Sequence, residues 1–260
     1  MTKTLPVCAI ALMLSAAVVK ADIWDLTDNL IGDTNNELTH GSRQVHDLAA
    51  LSVVLEDTDF FRIGIKAATS WEVIVGGTTG GLGTSGALLT LVDGVGAVLG
   101  TSIPVSTGLS FSRSLRFVNN TLVDDIARLI RVGSAACGVL CTSATQYEIL
   151  ARETTVSLAR FNNFGTQVTV LLTQNVTGVA VNATAHFYNS PGTHLHAESY
   201  TIPANGVHVM PTFTIPAVNG VSGAMTITHD APYAGLNVKA VALEPSTGFS
   251  FDTPGVYKPW

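Results

Sequence analysis

Gln146–Thr169 reads QYEILARETTVSLARFNNFGTQVT, and the chain changes character across it. Tyr147, Ile149 and Ala151 alternate with Glu148, Leu150 and Arg152, a period of two that predicts a closing strand with at least one protected face. Glu153-Thr154-Thr155 is a short polar break. Val156–Phe161 then restarts extended structure, Asn162-Asn163-Phe164-Gly165 supplies turn chemistry, and Gln167–Leu172 opens another strand. The stretch therefore predicts a junction between two strand-rich units with almost no linker.

Working outward, 260 residues are long for one sandwich and comfortable for two cores. Apolar residues make up 47% and charged residues only 12%, about half the usual share of charge, and Gly, Thr, Val, Ala and Asn are abundant. That is the palette of short strands and turns rather than of solvated helices. With 13 Lys and Arg against 19 Asp and Glu, the net charge of −6 recommends neither nucleic acid nor an anionic membrane as partner.

At the N-terminus, Lys3 is a positive n-region, Leu5–Val19 an apolar h-region, and Val19-Lys20-Ala21 the small-residue site that a signal peptidase reads. The expectation is a signal peptide over 1–21 and a mature chain from Asp22, secreted, periplasmic or at the cell surface. The apolar run is shorter than the roughly 20 residues that span a bilayer, and no second run follows, so no membrane span is expected in the mature chain. Cys8 lies at the start of the apolar region, which argues against lipidation. Cys137 and Cys141 remain, in Cys137-Gly138-Val139-Leu140-Cys141, and in an oxidising compartment they are expected to pair. So small a loop contributes about 1 to 2 kcal/mol.

Along the first unit, Phe60–Ile65 and Trp71–Val75 read as a hairpin turning at Ala67–Ser70. Gly76–Gly86, GGTTGGLGTSG, lacks the Lys-Ser/Thr ending of a phosphate loop and reads as an exposed connection. Ala87–Val92 and Val95–Leu99 flank Asp93-Gly94 as a second hairpin. Leu109–Val118 and Asp125–Val132 read as two further extended or mixed segments, and the second, DIARLIRV, also fits a helical turn on periodicity alone. In the second unit, Val156–Phe161, Val168–Leu172, Val179–Phe187, His194–Ile202, Val207–Thr214, Gly223–Thr228 and Leu236–Leu243 make about seven strands, the size of an immunoglobulin-like sandwich. The tail from Glu244 onward reads as irregular.

Asp57-Thr58-Asp59-Phe60-Phe61-Arg62-Ile63, the hairpin Leu89-Thr90-Leu91-Val92-Asp93-Gly94-Val95-Gly96, and the late Ile130-Arg131-Val132 and Tyr147-Glu148-Ile149 together resemble bacterial pre-peptidase C-terminal (PPC) domains. Those secreted β-sandwich modules carry a D-x-D-x-[FY]-x-[FV] strand, an L-x-L-x-D-x-x-G hairpin and a Y-x-[IVL]-x-V closing strand. The resemblance covers residues 33–152, with Phe60-Phe61-Arg62-Ile63 in place of the aromatic-x-aliphatic spacing. Related collagen-binding modules hold calcium near an N-terminal linker, and no full set of matching carboxylates is present to carry that over. The whole chain also resembles exported bacterial proteins of this two-part layout, which brings no activity with it. The expected fold is all-β: two consecutive β-sandwich domains, a jelly-roll, PPC-like one over 22–155 and an immunoglobulin-like one over 156–260 with an irregular tail.

Gly-x-Ser-x-Gly, His-Glu-x-x-His and a cysteine beside a base are all missing from the sequence. His194 and His196 are candidate metal ligands because alternate strand residues share a face, with Phe187 or Asn189 beside them and His186 facing the other way. Glu56, Asp57 and Asp59 crowd one turn, which holds calcium or is simply solvated. Glu198 and Glu244 are the candidate carboxylates of a glycosidase-like site. The expected function is a secreted, non-catalytic interaction module without a cofactor, its partner an extracellular protein or polysaccharide. The alternatives are a self-assembling surface subunit and a hydrolase with an unfamiliar carboxylate site.

Overall fold

The computed structural model describes residues 36–49, 57–77, 86–105, 110–134 and 141–259. The predicted signal peptide, Glu56, Cys137 and most of the glycine-rich loop lie outside them. The fold is all-β, with four sheets. Among the described residues there is no α-helix, and no helix long and apolar enough to cross a membrane.

The first half contributes β1 (Glu37–Leu38), β2 (Arg43–Asp47), β3 (Thr58–Ile63), β4 (Thr69–Gly77), β5 (Ala87–Val92), β6 (Val98–Thr101), β7 (Ile103–Pro104), β8 (Ser110–Asn119), β9 (Leu129–Ser134) and β10 (Gln146–Glu153). They form two five-stranded sheets, β1-β3-β9-β5-β6 and β2-β10-β4-β8-β7. Alternate residues of each turn inward, so Phe61, Ile63, Leu89, Ile130 and Val132 of one sheet meet Val73, Val75, Leu115, Tyr147 and Ile149 of the other in one core. β4, TSWEVIVGG, is buried on both faces. Trp71, Val73 and Val75 face that core, which leaves Ser70, Glu72 and Ile74 on the outer face of the sheet.

The second half contributes β11 (Val156–Asn162), β12 (Val168–Asn175), β13 (Val181–Asn189), β14 (His194–Ile202), β15 (Val207–Pro211), β16 (Ser222–His229), β17 (Leu236–Glu244), β18 (Phe249–Pro254) and β19 (Val256–Tyr257). The sheets are β14-β13-β16-β11-β19 and β15-β12-β17-β18. Their core includes Leu158, Phe161, Leu171, Phe187, Met225 and Ile227. The rings of Phe161 and Phe187 meet edge to face, 5.5 Å apart, which adds about 1 kcal/mol to their area burial.

Three expectations are corrected. β3 and β4 are not a hairpin: β3 pairs with β9 and β4 with β8 and β10, in different sheets. The segment between them is a corner, held because Asn119 Nδ2 donates to the Lys66 carbonyl (3.1 Å), Ala67 N–H to Asp124 (2.9 Å) and Ala68 N–H to the Thr121 carbonyl (3.0 Å), with Ala68 at φ 49°. DIARLIRV is not helical; its second half is β9, because Leu129–Val132 pair on both sides with β3 and β5. The tail is not irregular either. β18 extends the β17 edge and β19 crosses to pair with β11. By contrast, β5 and β6 do form the predicted hairpin, with Asp93 accepting from Val95 N–H (3.0 Å) and Ala97 N–H (2.8 Å).

Candidate functional site at the junction of the two halves

The outer face of the β2-β10-β4-β8-β7 sheet carries a charge in an otherwise apolar strand. Glu72 is only 3% exposed. A carboxylate so buried has to be hydrogen-bonded on both oxygens. Ser114 Oγ donates to Oε1 (2.7 Å) and the Tyr233 N–H to Oε2 (3.0 Å), while Arg116 Nε lies 3.6 Å from Oε1. Tyr233 follows β16, so this carboxylate links the two halves. Arg152 stacks over the Tyr233 ring at 5.4 Å; burial lowers its pKa, and Glu72 and Tyr233 pull the other way.

Around this centre other bonds cross the junction. Arg116 Nη1 donates to the Asp230 carbonyl (2.9 Å) and Thr228 Oγ1 to Asn120 Oδ1 (2.6 Å), while Ser70 N–H holds Thr155 Oγ1 (3.0 Å) in the link between the halves. Lys258 pairs with Glu153 at 3.1 Å. His40 accepts from the Glu153 N–H at Nδ1 (2.9 Å), which leaves Nε2–H to donate to the Pro259 carbonyl (3.0 Å).

Beside the junction lies a cleft of about 320 Å³, between Val118 of β8 with Asn120 just past its end and the outer face of the β14-β13-β16-β11-β19 sheet. The strand registers set that wall in ranks: Asn182 opposite Thr201, then Thr184 opposite both Ser199 and Thr228. Asp230 closes the end, its two carboxylate oxygens accepting from Asn182 N–H and Nδ2 (both 2.9 Å). Thr201 Oγ1 donates to Asn182 Oδ1 (3.0 Å), and the Thr184 and Ser199 hydroxyls share a bond of 3.0 Å. A second cleft, about 270 Å³, lies between Ile103, Ser114, Arg116 and Val179–Val181. Asp230 borders both. Next to it His229 is 1% exposed, and burial pushes its pKa down to about 4.

The residues singled out from sequence fall elsewhere. Asp57 and Asp59 are 3% and 0% exposed rather than solvated, because β3 begins inside the first core; Asp59 accepts a short hydrogen bond from the Tyr147 hydroxyl. Cys141 is buried beside that same core. His194 and His196 do not share a face. His194 pairs with Tyr188 and His196 with Phe187, so the strand bulges at Leu195, and that extra residue turns His194 to the face of His186. His196 Nε2 lies 2.8 Å from Glu198. Glu244, in another sheet, is held below the usual carboxylate range by the Ser246 and Thr166 hydroxyls, the reverse of what a general acid needs. No group of three or more His, Cys, Asp or Glu side chains able to hold a metal occurs among the described residues.

Glu72, Arg116 and Asp230 did not emerge from the sequence, and Tyr233 did so only as one aromatic among several, not as a partner of a carboxylate. A visible signal was available for the first: one carboxylate inside Trp71–Val75, where every neighbour is apolar.

No protein-family model and no curated protein matches the chain. Among solved structures, Bacteroides uniformis β-glucuronidase 2 covalently bound to cyclophellitol-6-carboxylate aziridine is 11% identical over 84% of this chain and 32% of that one, with a TM-score of 0.20. A Bacteroides uniformis β-glucuronidase is 12% identical over 78% and 26%, with a TM-score of 0.19. The chain thus spans about a third or less of those enzymes, and likeness at this level carries no argument.

Proposed function

We propose that the chain is an exported, non-catalytic recognition module, and that its junction cleft takes a hydroxyl-rich polymer, a polysaccharide of the cell envelope or its surroundings. The observation that carries this reading is the cleft wall: the exposed side-chain amides and hydroxyls of Asn120, Asn182, Ser199 and Thr201, set around the buried Thr184 and Thr228, with Asp230 at one end. Sugar hydroxyls both donate and accept, and a wall of amides and hydroxyls answers them in either sense. The Glu72 bonds fix the two sides of the cleft, which lowers the ordering cost of binding. Export rests on the predicted signal peptide.

The test is a glycan array probed with the mature chain, followed by calorimetry on any retained polymer. Asn182→Ala is expected to weaken binding about 10-fold, one hydrogen-bonded contact's worth, and Thr201→Val somewhat less. Retention of no polysaccharide, or affinity indifferent to both changes, removes the reading.

Self-assembly is a second reading, favoured by the outer face of the β15-β12-β17-β18 sheet. There Val209 stands opposite Leu172, Pro211 opposite Val170, Val170 opposite Val241 and Val168 opposite Leu243, all exposed or half-buried. Sedimentation across a concentration series is expected to show dimers that Val209→Lys dissociates; a monomer at every concentration refutes it.

A further inference from the structure

The bulge in β14 creates an arrangement that strand alternation does not foretell. It sets the His194 ring 5.8 Å from that of His186, on the outer face of the β14-β13-β16-β11-β19 sheet. His186 is wholly buried. Three buried polar atoms here have no hydrogen-bond partner: His186 Nδ1, His194 Nε2 and Thr226 Oγ1. Thr226 stands directly opposite His186 in the β13–β16 register. Sealed polar atoms without partners are uncommon, and three on one patch point to a missing partner common to them.

The hydrogen bonds fix what His186 offers. The Thr228 hydroxyl has one proton, and it goes to Asn120 Oδ1 at 2.6 Å. Toward His186 Nε2, 3.3 Å away, Thr228 therefore accepts. Nε2 carries the ring proton and Nδ1 is left as a bare lone pair, the form in which imidazole binds a metal, with the other nitrogen tied to a neighbouring oxygen. A zinc-type ion lies about 2 Å from each imidazole nitrogen, so one ion reaches two rings whose centres are up to about 6 Å apart. The observed separation falls within that span.

The geometry points to a divalent transition-metal site, of the Zn²⁺, Co²⁺ or Ni²⁺ class, with His186 Nδ1 and His194 Nε2 as protein ligands and water or an incoming donor completing the shell. Thr226 Oγ1 is placed to hydrogen-bond a metal-bound water. The site lies one rank beyond Thr184, Ser199 and Thr228 on the same sheet face, and it does not depend on the polysaccharide reading.

The experiment titrates Zn²⁺ and Co²⁺ into the untagged, chelator-treated chain, with calorimetry, Co²⁺ visible absorption and ¹⁵N spectra of the histidine rings as readouts. A single ion per chain is expected, with the His186 Nδ1 resonance shifting on binding. Replacing buried His186 endangers the fold, so the variants sit elsewhere. His194→Gln is expected to weaken binding by more than 10-fold and Thr228→Val, which removes the acceptor fixing the tautomer, by about 10-fold. His196→Gln is expected to leave it unchanged. Absence of binding at millimolar ion, loss of binding in His196→Gln but not His194→Gln, or binding that leaves the His186 resonance in place each overturns the assignment; in the last case the three atoms share a buried water instead.

Discussion

Replacing Glu72 by alanine is expected to lower the unfolding free energy by about 3 to 5 kcal/mol, the cost of breaking a buried charge network from one side. The change removes the acceptor for Ser114 Oγ and Tyr233 N–H and leaves Arg116, 18% exposed at its side chain, without its nearest carboxylate. Glu72→Gln is expected to cost less. Its amide oxygen still accepts from Tyr233, and its NH₂ donates to Ser114, whose hydroxyl reverses. Urea unfolding of the three proteins at pH 7 checks both values. A loss below about 1 kcal/mol for the alanine variant would show that the halves are joined by other bonds, since a broken buried pair cannot be that mild. The same variant is expected to lose ligand in the cleft, whose two sides would no longer be fixed.

Acid is expected to destabilise the fold through its buried histidines. Burial holds both His229 and His186 at a pKa of about 4, against an ordinary 6.5. For His229 the Asp230 carboxylate opposes the shift and Arg116 assists it; for His186 the neighbouring His194 adds to it. Between pH 6.5 and 4 the unfolded chain therefore binds more protons than the folded one, and stability falls as pH falls. The contribution is fully present above pH 6.5 and is lost toward pH 4, at about 1.4 kcal/mol per pH unit for each group, some 3 kcal/mol for His229 across the window. Urea midpoints measured from pH 7 to 4 should show this decline, and His229→Gln should shorten it by roughly one group's share. An identical slope in wild type and variant would mean that the ring is not held neutral in the fold.

Much of the second half could be read directly. β14 runs from His194 to Ile202 as the alternation predicts, and β11, β12, β13, β16 and β17 differ from expectation by a few residues at their ends. β12 and β17 bury one face, so period and burial agree there. Where a strand's partner lies far along the chain, sequence pattern fails. Phe60–Ile65 and Trp71–Val75 are close in sequence and look like hairpin arms, yet tertiary pairing sends them to different sheets. DIARLIRV has helical spacing, but two neighbouring strands claim its backbone. The tail from Phe249 is strand because the β17 edge offers it a ladder, which the short alternation Phe249-Ser250-Phe251-Asp252 alone does not announce.

The site was less legible than the fold. A buried Glu72 becomes sensible only when Tyr233, from the other half, supplies an N–H. His194 and His196 were the visible pair, and one extra residue at a bulge exchanged His196 for His186. Bulges leave little trace in a single sequence, while a one-residue slip reverses every face beyond it.

Each half is closed by strands from its two ends: β2 pairs with β10, and β11 with β19. Neither sheet system can be completed from neighbours in sequence, so folding must close long loops before those contacts repay the entropy. The chain should fold slowly for its size, in milliseconds to seconds rather than microseconds. Until β19 docks, β11 offers an open edge to any other chain in the same state. The pairing that finishes the native sheet is thus also the step that protects it from aggregation.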